Sequence, residues 1–151
     1  MGCYPTDPSG GTIRPMAVQL SVAVRNARLD AVEATIGVSA VLKIFTGAQP
    51  ANCAAANTGT ELVSMNLPVD WMAAAGSGTK AKAGVWSGAG VAAGTAVGGH
   101  YRIYASDGVT CGEQGSAGAT GSGADLTIDN AVIAVGQVVT VNTYTFTDAN
   151  A

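Results

Sequence analysis

Residues 100–115 read HYRIYASDGVTCGEQG, and they set the period of the chain. From His100 to Ala105 the residues alternate, with Tyr101 and Ile103 on one face and Arg102 and Tyr104 on the other. A side-chain period of two marks a strand, because successive Cβ atoms leave opposite faces of the pleat. Ser106-Asp107-Gly108 then supplies turn chemistry, and Val109–Gly115 reads as the returning arm of a hairpin.

The same period spreads in both directions. Towards the C-terminus, Ala124–Ile128 and Gln137–Thr147 read as strands, with turns near Asp129-Asn130 and at Gly136. In the last strand Val139 and Val141 share one face while Tyr144 and Phe146 share the other. That change of face predicts a bulge near Asn142, or a strand covered on both sides. Towards the N-terminus, Lys80–Ser87 and Gly90–Val97 read as small-residue strands around SGAG. Glu61–Leu67 is a strand stopped by Pro68, and Val41–Thr46 is another. Residues 47–60 form a long loop. The segment DWMAAAGSG (70–78) is ambiguous by period, and one reading of it is a helical turn anchored by Trp71 and followed by a Gly/Ser turn. About eight short strands with glycine-rich turns predict a mostly β protein, an antiparallel β-sandwich or jelly-roll-like domain.

One helix precedes the strands, over about 21–36. Ser21 is placed as its N-cap and Gly37 as its C-terminal cap, and Val22, Arg25, Leu29, Val32 and Ile36 fall in a stripe at helical spacing. Arg25 and Arg28 come early and Asp30 and Glu33 late, against the helix dipole, so partners elsewhere are expected to hold those charges. Residues 1–15, MGCYPTDPSGGTIRP, carry prolines and glycines without periodicity and read as an extended arm. Residues 16–151 make one β-rich domain, and Met16 competes with Met1 as the start.

Composition narrows the function classes. Charged residues are 11% of the chain, against roughly 25% in ordinary soluble domains, which favours a surface covered by neighbours. The seven basic residues are scattered, so no clustered face is available for phosphates and direct nucleic-acid binding is not expected. No apolar run approaches the roughly 20 residues of a membrane span, and residues 1–11 lack a signal-peptide pattern, which points to cytoplasmic synthesis. Met1-Gly2-Cys3 with Thr6 matches a weakly specific acylation pattern, and no acylation is expected.

The residues that could carry chemistry are few. His100, the single histidine, would have to serve any serine or cysteine nucleophile, and the plainer reading is a strand surface residue. Cys3, Cys53 and Cys111 lack metal-ligand spacing. Cys53 and Cys111 are read as separate thiols in a reducing compartment, with a bridge formed after cell lysis as the other reading. Asp125, Thr127 and Asp129 alternate onto one strand face, with oxygen ligands that suit Ca²⁺ but also suit a solvated surface. Gly76-Ser77-Gly78-Thr79-Lys80 lacks the ending of a phosphate loop and reads as a turn. Trp71 and Trp86 are read as core anchors, with an interface role as the alternative. No catalytic, cofactor or metal residue is assigned, and the chain is not expected to be an enzyme.

Five segments carry a resemblance: AVRNARLDAVEATIG (23–37), QPANCAAANTGTEL (49–62), LPVDWMAAA (67–75), HYRIYASDGVTCGEQG (100–115) and GQVVTVNTYTFTDANA (136–151). In order, they resemble a family of small tailed-phage and prophage virion structural proteins over residues 16–151. The resemblance implies a virion protein made in the bacterial host cytoplasm, with no site residues to carry over. It suggests a head decoration, or cement, protein that binds the major capsid protein as a dimer or trimer. The alternative is a tail or fibre-associated module for host attachment that uses loops 47–60 and 112–123.

Overall fold

The computed structural model describes residues 18–149. The protein is mostly β with a single helix. In chain order it comprises α1 (Val22–Ile36), β1 (Val41–Phe45), β2 (Glu61–Asn66), β3 (Thr79–Ala81), β4 (Ser87–Ala89) and β5 (Gly94–Thr95). There follow β6 (Gly99–Tyr104), β7 (Cys111–Ala119), β8 (Leu126–Ile128), β9 (Val132–Ile133) and β10 (Val138–Thr147). The main sheet runs β2-β1-β6-β7-β8-β10-β3, with β4 also paired to β10, and β5 and β9 form a small second sheet. Among the described residues no helix is long and apolar enough to cross a membrane.

The sheet curls until its ends meet. β4 pairs with β10 on one side, and next to it Gly90 bridges Val63 of β2. Gly88 makes that approach possible: a Cβ there would lie 2.6 Å from the Met65 Cβ and 2.8 Å from the Ser64 carbonyl oxygen. Closure pairs backbone groups that would otherwise form exposed edges. Inside lie Leu42, Ile44, Leu62, Tyr101, Ile103, Leu126, Ile128, Val139 and Val141, a core of side chains from facing walls.

The expected hairpin is present, with β6 and β7 antiparallel and Tyr101 opposite Gly115. The expected fault in the last strand is present too. The register of β10 against β8 slips between Val141 and Thr143, so Val139, Val141 and Tyr144 are all buried despite their spacing. One pairing departs from the antiparallel expectation: β7 and β8 run parallel, joined only by residues 120–125. Such a crossover usually needs a dozen residues or more. Here the connection doubles back over Gly118, where a Cβ would stand 2.6 Å from the Ser122 hydroxyl.

Small-residue segments account for the misplaced strands. Lys80–Ser87 is two strands, β3 and β4, split where residues 83–86 carry Trp86 inward. Of Gly90–Val97 only Gly94–Thr95 is strand, paired with β9, which the sequence reading did not mark as a strand. Alternating glycine and alanine mimics a strand period without large side chains to bury. Residues 70–78 are not a helical turn. They run extended as the other arm of a hairpin with β3, through the Met72–Lys82 and Gly76–Thr79 bridges. Ser77 and Gly78 turn it with φ of 54° and 76°, the left-handed pair that matches strand twist.

The helix explains why that arm is extended. Asn26 Oδ1 accepts from the Gly78 amide at 2.9 Å, Asp30 Oδ1 from Ala75 at 3.1 Å, and Glu33 Oε1 from Met72 at 3.1 Å. One polar stripe of α1 thus satisfies the outer edge of the hairpin, as a neighbouring strand would. Lys80, 4% exposed, reaches Asp30 at 2.6 Å and Glu33 at 2.9 Å, so the charges that oppose the helix dipole are held by tertiary partners. Arg25 Nη1 donates to the Asp148 carbonyl at 2.7 Å, and Arg28 pairs with the Asp148 carboxylate. Ser21 caps the helix through the Val24 amide, and the Gly37 amide donates back to the Glu33 carbonyl.

The expected apolar stripe is narrower than its spacing suggested. Leu29 and Ile36 are buried and Val32 packs partly, but Val22 is 48% exposed, because the helix tilts its polar stripe to the sheet edge. Leu29→Ala is expected to cost roughly 2–5 kcal/mol in urea denaturation. A loss under about half a kcal/mol would contradict this packing. The arm read over residues 1–15, with Cys3 and Arg14, and the start at Met16 lie outside the described residues.

Candidate functional site

Strand β6 is buried on both faces, and its outer face carries the densest polar network. Tyr101 and Ile103 point into the core, while His100, Arg102 and Tyr104 face outward and lie under residues 47–60. Arg102, only 2% exposed, is the hub. Its Nη2 donates to the carbonyls of Asn52 at 2.9 Å and Ala55 at 3.0 Å, and its Nη1 to Asn57 Oδ1 at 2.6 Å. Gln114 Oε1 accepts from Nε and Nη2 and Gln114 Nε2 donates to the Pro50 carbonyl, while Tyr104 donates to Asn57. A planar guanidinium can hold several loop carbonyls at once, which a lysine ammonium could not. Residues 47–60 are therefore fastened to the sheet, and of the expected loop 112–123 the part 112–119 belongs to β7 while 120–123 form the exposed turn after it.

His100 is buried, not a strand surface residue, because that same loop covers it. Its ring stacks on Phe45 with centroids 5.1 Å apart, and Nδ1 lies 2.8 Å from the Gly47 carbonyl. That contact makes Nδ1 the donor and leaves Nε2 buried without a partner. His100 stands opposite Ser116, whose amide and hydroxyl instead donate to Asp125 Oδ2 at 2.9 and 2.7 Å. The three residue types of a nucleophilic triad meet here, but the histidine is oriented by a backbone carbonyl and the carboxylate holds the serine. The cleft above them, of about 480 Å³, runs between Ala48–Gln49 and residues 122–124.

The three positions weighed for calcium do separate work. Asp125 holds Ser116, and those bonds keep its carboxyl below the usual range. Thr127 is buried with its hydroxyl 2.6 Å from that of Thr143. Asp129 Oδ1 accepts from the Asn130 and Thr140 amides. Among the described residues no three His, Cys, Asp or Glu side chains converge in a way that suits a metal.

A carboxylate that sequence reading passed over has the most altered environment. Glu113 lies on β7 opposite Ile103, and its Oε1 accepts hydroxyl bonds of 2.5 Å from both Tyr101 and Tyr144. Its Oε2 is cut off from solvent without a partner. Burial pushes its carboxyl up to about 7, against the pull of the two tyrosine bonds, and the nearby Asp125 charge adds to the rise. Burial also raises both tyrosine hydroxyls, which stay protonated donors. With Asp125, Gln114 and Phe146 these groups border an open cavity of about 430 Å³. The cluster can hold a proton near neutrality. Nothing in CGEQG marks it, because Glu113 meets Tyr144 only through the β7–β8–β10 sheet order.

The folded state binds the Glu113 proton more tightly than the unfolded chain does. Its contribution to stability is therefore full below about 4.5 and is lost as pH rises to about 7. At about 1.4 kcal/mol per pKa unit the loss is on the order of 3 kcal/mol. Urea midpoints for the wild type should fall between pH 5 and pH 8, and Glu113→Gln, which keeps the acceptor for both tyrosines, should flatten the fall. An equal slope in both proteins would show that another group sets it.

Cys53 and Cys111 are free and partly exposed. Burial, with the Cys53 side chain adding to it, pushes the Cys111 thiol up to about 12. Trp71 and Trp86 are both fully buried, 5.9 Å apart, which places them in the core and not at a surface.

The outside of the protein is short of free charge. Lys43 pairs with Glu61, and Lys82 donates to the Gly84 carbonyl and lies over the Trp86 ring. With Arg25, Arg28, Lys80 and Arg102 held as described, every described basic residue has an internal partner. Valines face solvent instead. Val91, Val97 and Val135 lie in the segments that flank the β5–β9 pair, Val132 is in β9 and Val138 begins β10. Scans of family models and searches of curated proteins and solved structures return no match to the chain.

Proposed function

We propose that this chain is a phage virion structural protein, and specifically a head decoration protein that binds the assembled major capsid protein and stabilises it. The observation that carries this reading is the surface. Basic residues are spent on internal partners while valines stand exposed, at Val132 by 67% and Val135 by 70%. Exposed valines on a charge-poor protein, several of them near the β5–β9 pair, suit burial against a neighbour. The sequence resemblance over residues 16–151 supports the same class. A closed sheet with fastened loops favours a rigid cement subunit over a module that attaches through adaptable loops. Binding would be to capsid protein and to further copies of this chain, without direct contact to nucleic acid or membrane and without an enzymatic step.

Purified virions provide the test. The chain should be abundant in stained gels, at a copy number comparable to the major capsid protein, and should map to the outside of heads. Val132→Lys with Val135→Lys should leave the isolated fold intact and reduce retention on heads, and such heads should release DNA at lower temperature. A chain found in few copies on tails would replace this reading with the host-attachment module. Full decoration by the double-lysine variant would remove the valine surface from the interface.

A further inference from the structure

We infer that Cys53 and Cys111 form a reversible disulfide that locks residues 47–60 onto β7. The two thiols come from chain segments that the fold brings together and holds. Cys111 begins β7 opposite Tyr104, and its thiol faces the Glu113 carbonyl at 3.4 Å. Cys53 sits in the loop between the two carbonyls that Arg102 grips, those of Asn52 and Ala55. Its position is therefore set from both sides by one rigid group, itself anchored to Gln114 on β7. Cys111 stands opposite Tyr104, whose hydroxyl donates to Asn57 in the same loop as Cys53, and both cysteines keep partial exposure, so an oxidant can reach them. Preorganisation of this kind favours an internal disulfide over two separate adducts, because the second thiol is already beside the first.

The chemistry needs an oxidant, and a low-molecular-weight disulfide such as oxidised glutathione suffices. One thiolate attacks it, forming a mixed disulfide and releasing one reduced thiol. The second protein thiol gives up its proton and attacks the mixed disulfide, which releases the second reduced thiol and leaves the Cys53–Cys111 bond. Two protein thiols are oxidised and one small disulfide is reduced. The bond would close a long loop, from the first covering segment to the hairpin, and so restrict the unfolded chain strongly.

The test uses the full chain with Cys3→Ser, so that a third thiol cannot compete. Incubation with oxidised glutathione should lower the intact mass by two hydrogens, without glutathione adducts, and digestion should recover a joined Cys53–Cys111 peptide. The oxidised protein should melt roughly 5–10 °C higher than the reduced one, and a reductant should reverse the shift. A variant with Cys53→Ser and Cys111→Ser added should melt with the reduced protein and ignore the oxidant. Two stable glutathione adducts, persisting free thiols, or an oxidised form that melts no higher than the reduced one would each overturn the inference.

Discussion

Trp86→Ala is expected to destabilise the fold by roughly 3–5 kcal/mol. The indole is fully buried in the centre of an aromatic row, 5.9 Å from Trp71 and 5.1 Å from Tyr144, which in turn meets Tyr101 edge-on at 5.7 Å. Its Nε1 donates to the Ala83 carbonyl at 2.9 Å, and its own carbonyl accepts from the Val141 amide. Alanine keeps the backbone bond but empties the space between facing walls, and a chain with few aromatics has little else to fill it. Urea unfolding read by intrinsic fluorescence of Trp71 and by near-ultraviolet circular dichroism gives the measurement. A loss under about 1 kcal/mol would mean that the walls collapse onto the gap and that Trp86 is not the anchor.

Arg102→Met should cost roughly 3 kcal/mol or more, with the effect concentrated on one loop. Methionine approximates the buried stem but leaves the Asn52 and Ala55 carbonyls and Gln114 Oε1 without their donor. Each buried acceptor so orphaned costs about 1–3 kcal/mol, less where water can reach it. Tyr104 still donates to Asn57, which limits the loss there. Limited proteolysis should cut within 47–60 much faster than in the wild type, and Arg102→Lys should not restore protection, since an ammonium cannot span the same acceptors. Unchanged cleavage in Arg102→Met would mean that the loop is held by its other contacts.

These two positions also divide what was legible from what was not. Trp86 could be assigned to the core from its small neighbours, because a large apolar side chain among alanines and glycines has few other places to go. Arg102 could be placed on the opposite face from Tyr101, but its alternation alone describes a solvated arginine. Only the loop that folds back over β6 makes it a buried hub.

The sequence by itself determined the local structure wherever side chains were large enough to carry a period. The 100–115 hairpin, the strands at 41–45 and 61–66, the N-cap at Ser21 and the bulge near Asn142 all follow from alternation and capping chemistry. The tertiary structure decided everything that depends on which segments become neighbours. It made 70–78 an extended arm, since Asn26, Asp30 and Glu33 supply that arm's amides with acceptors. It turned β8 parallel to β7 through the close approach at Gly118, and it placed Glu113 between two tyrosines from different strands. The physical reason is common to all of these. Backbone periodicity is a property of a few consecutive residues, whereas burial, hydrogen-bond partners and proton affinity are set by groups that meet only after long loops have closed.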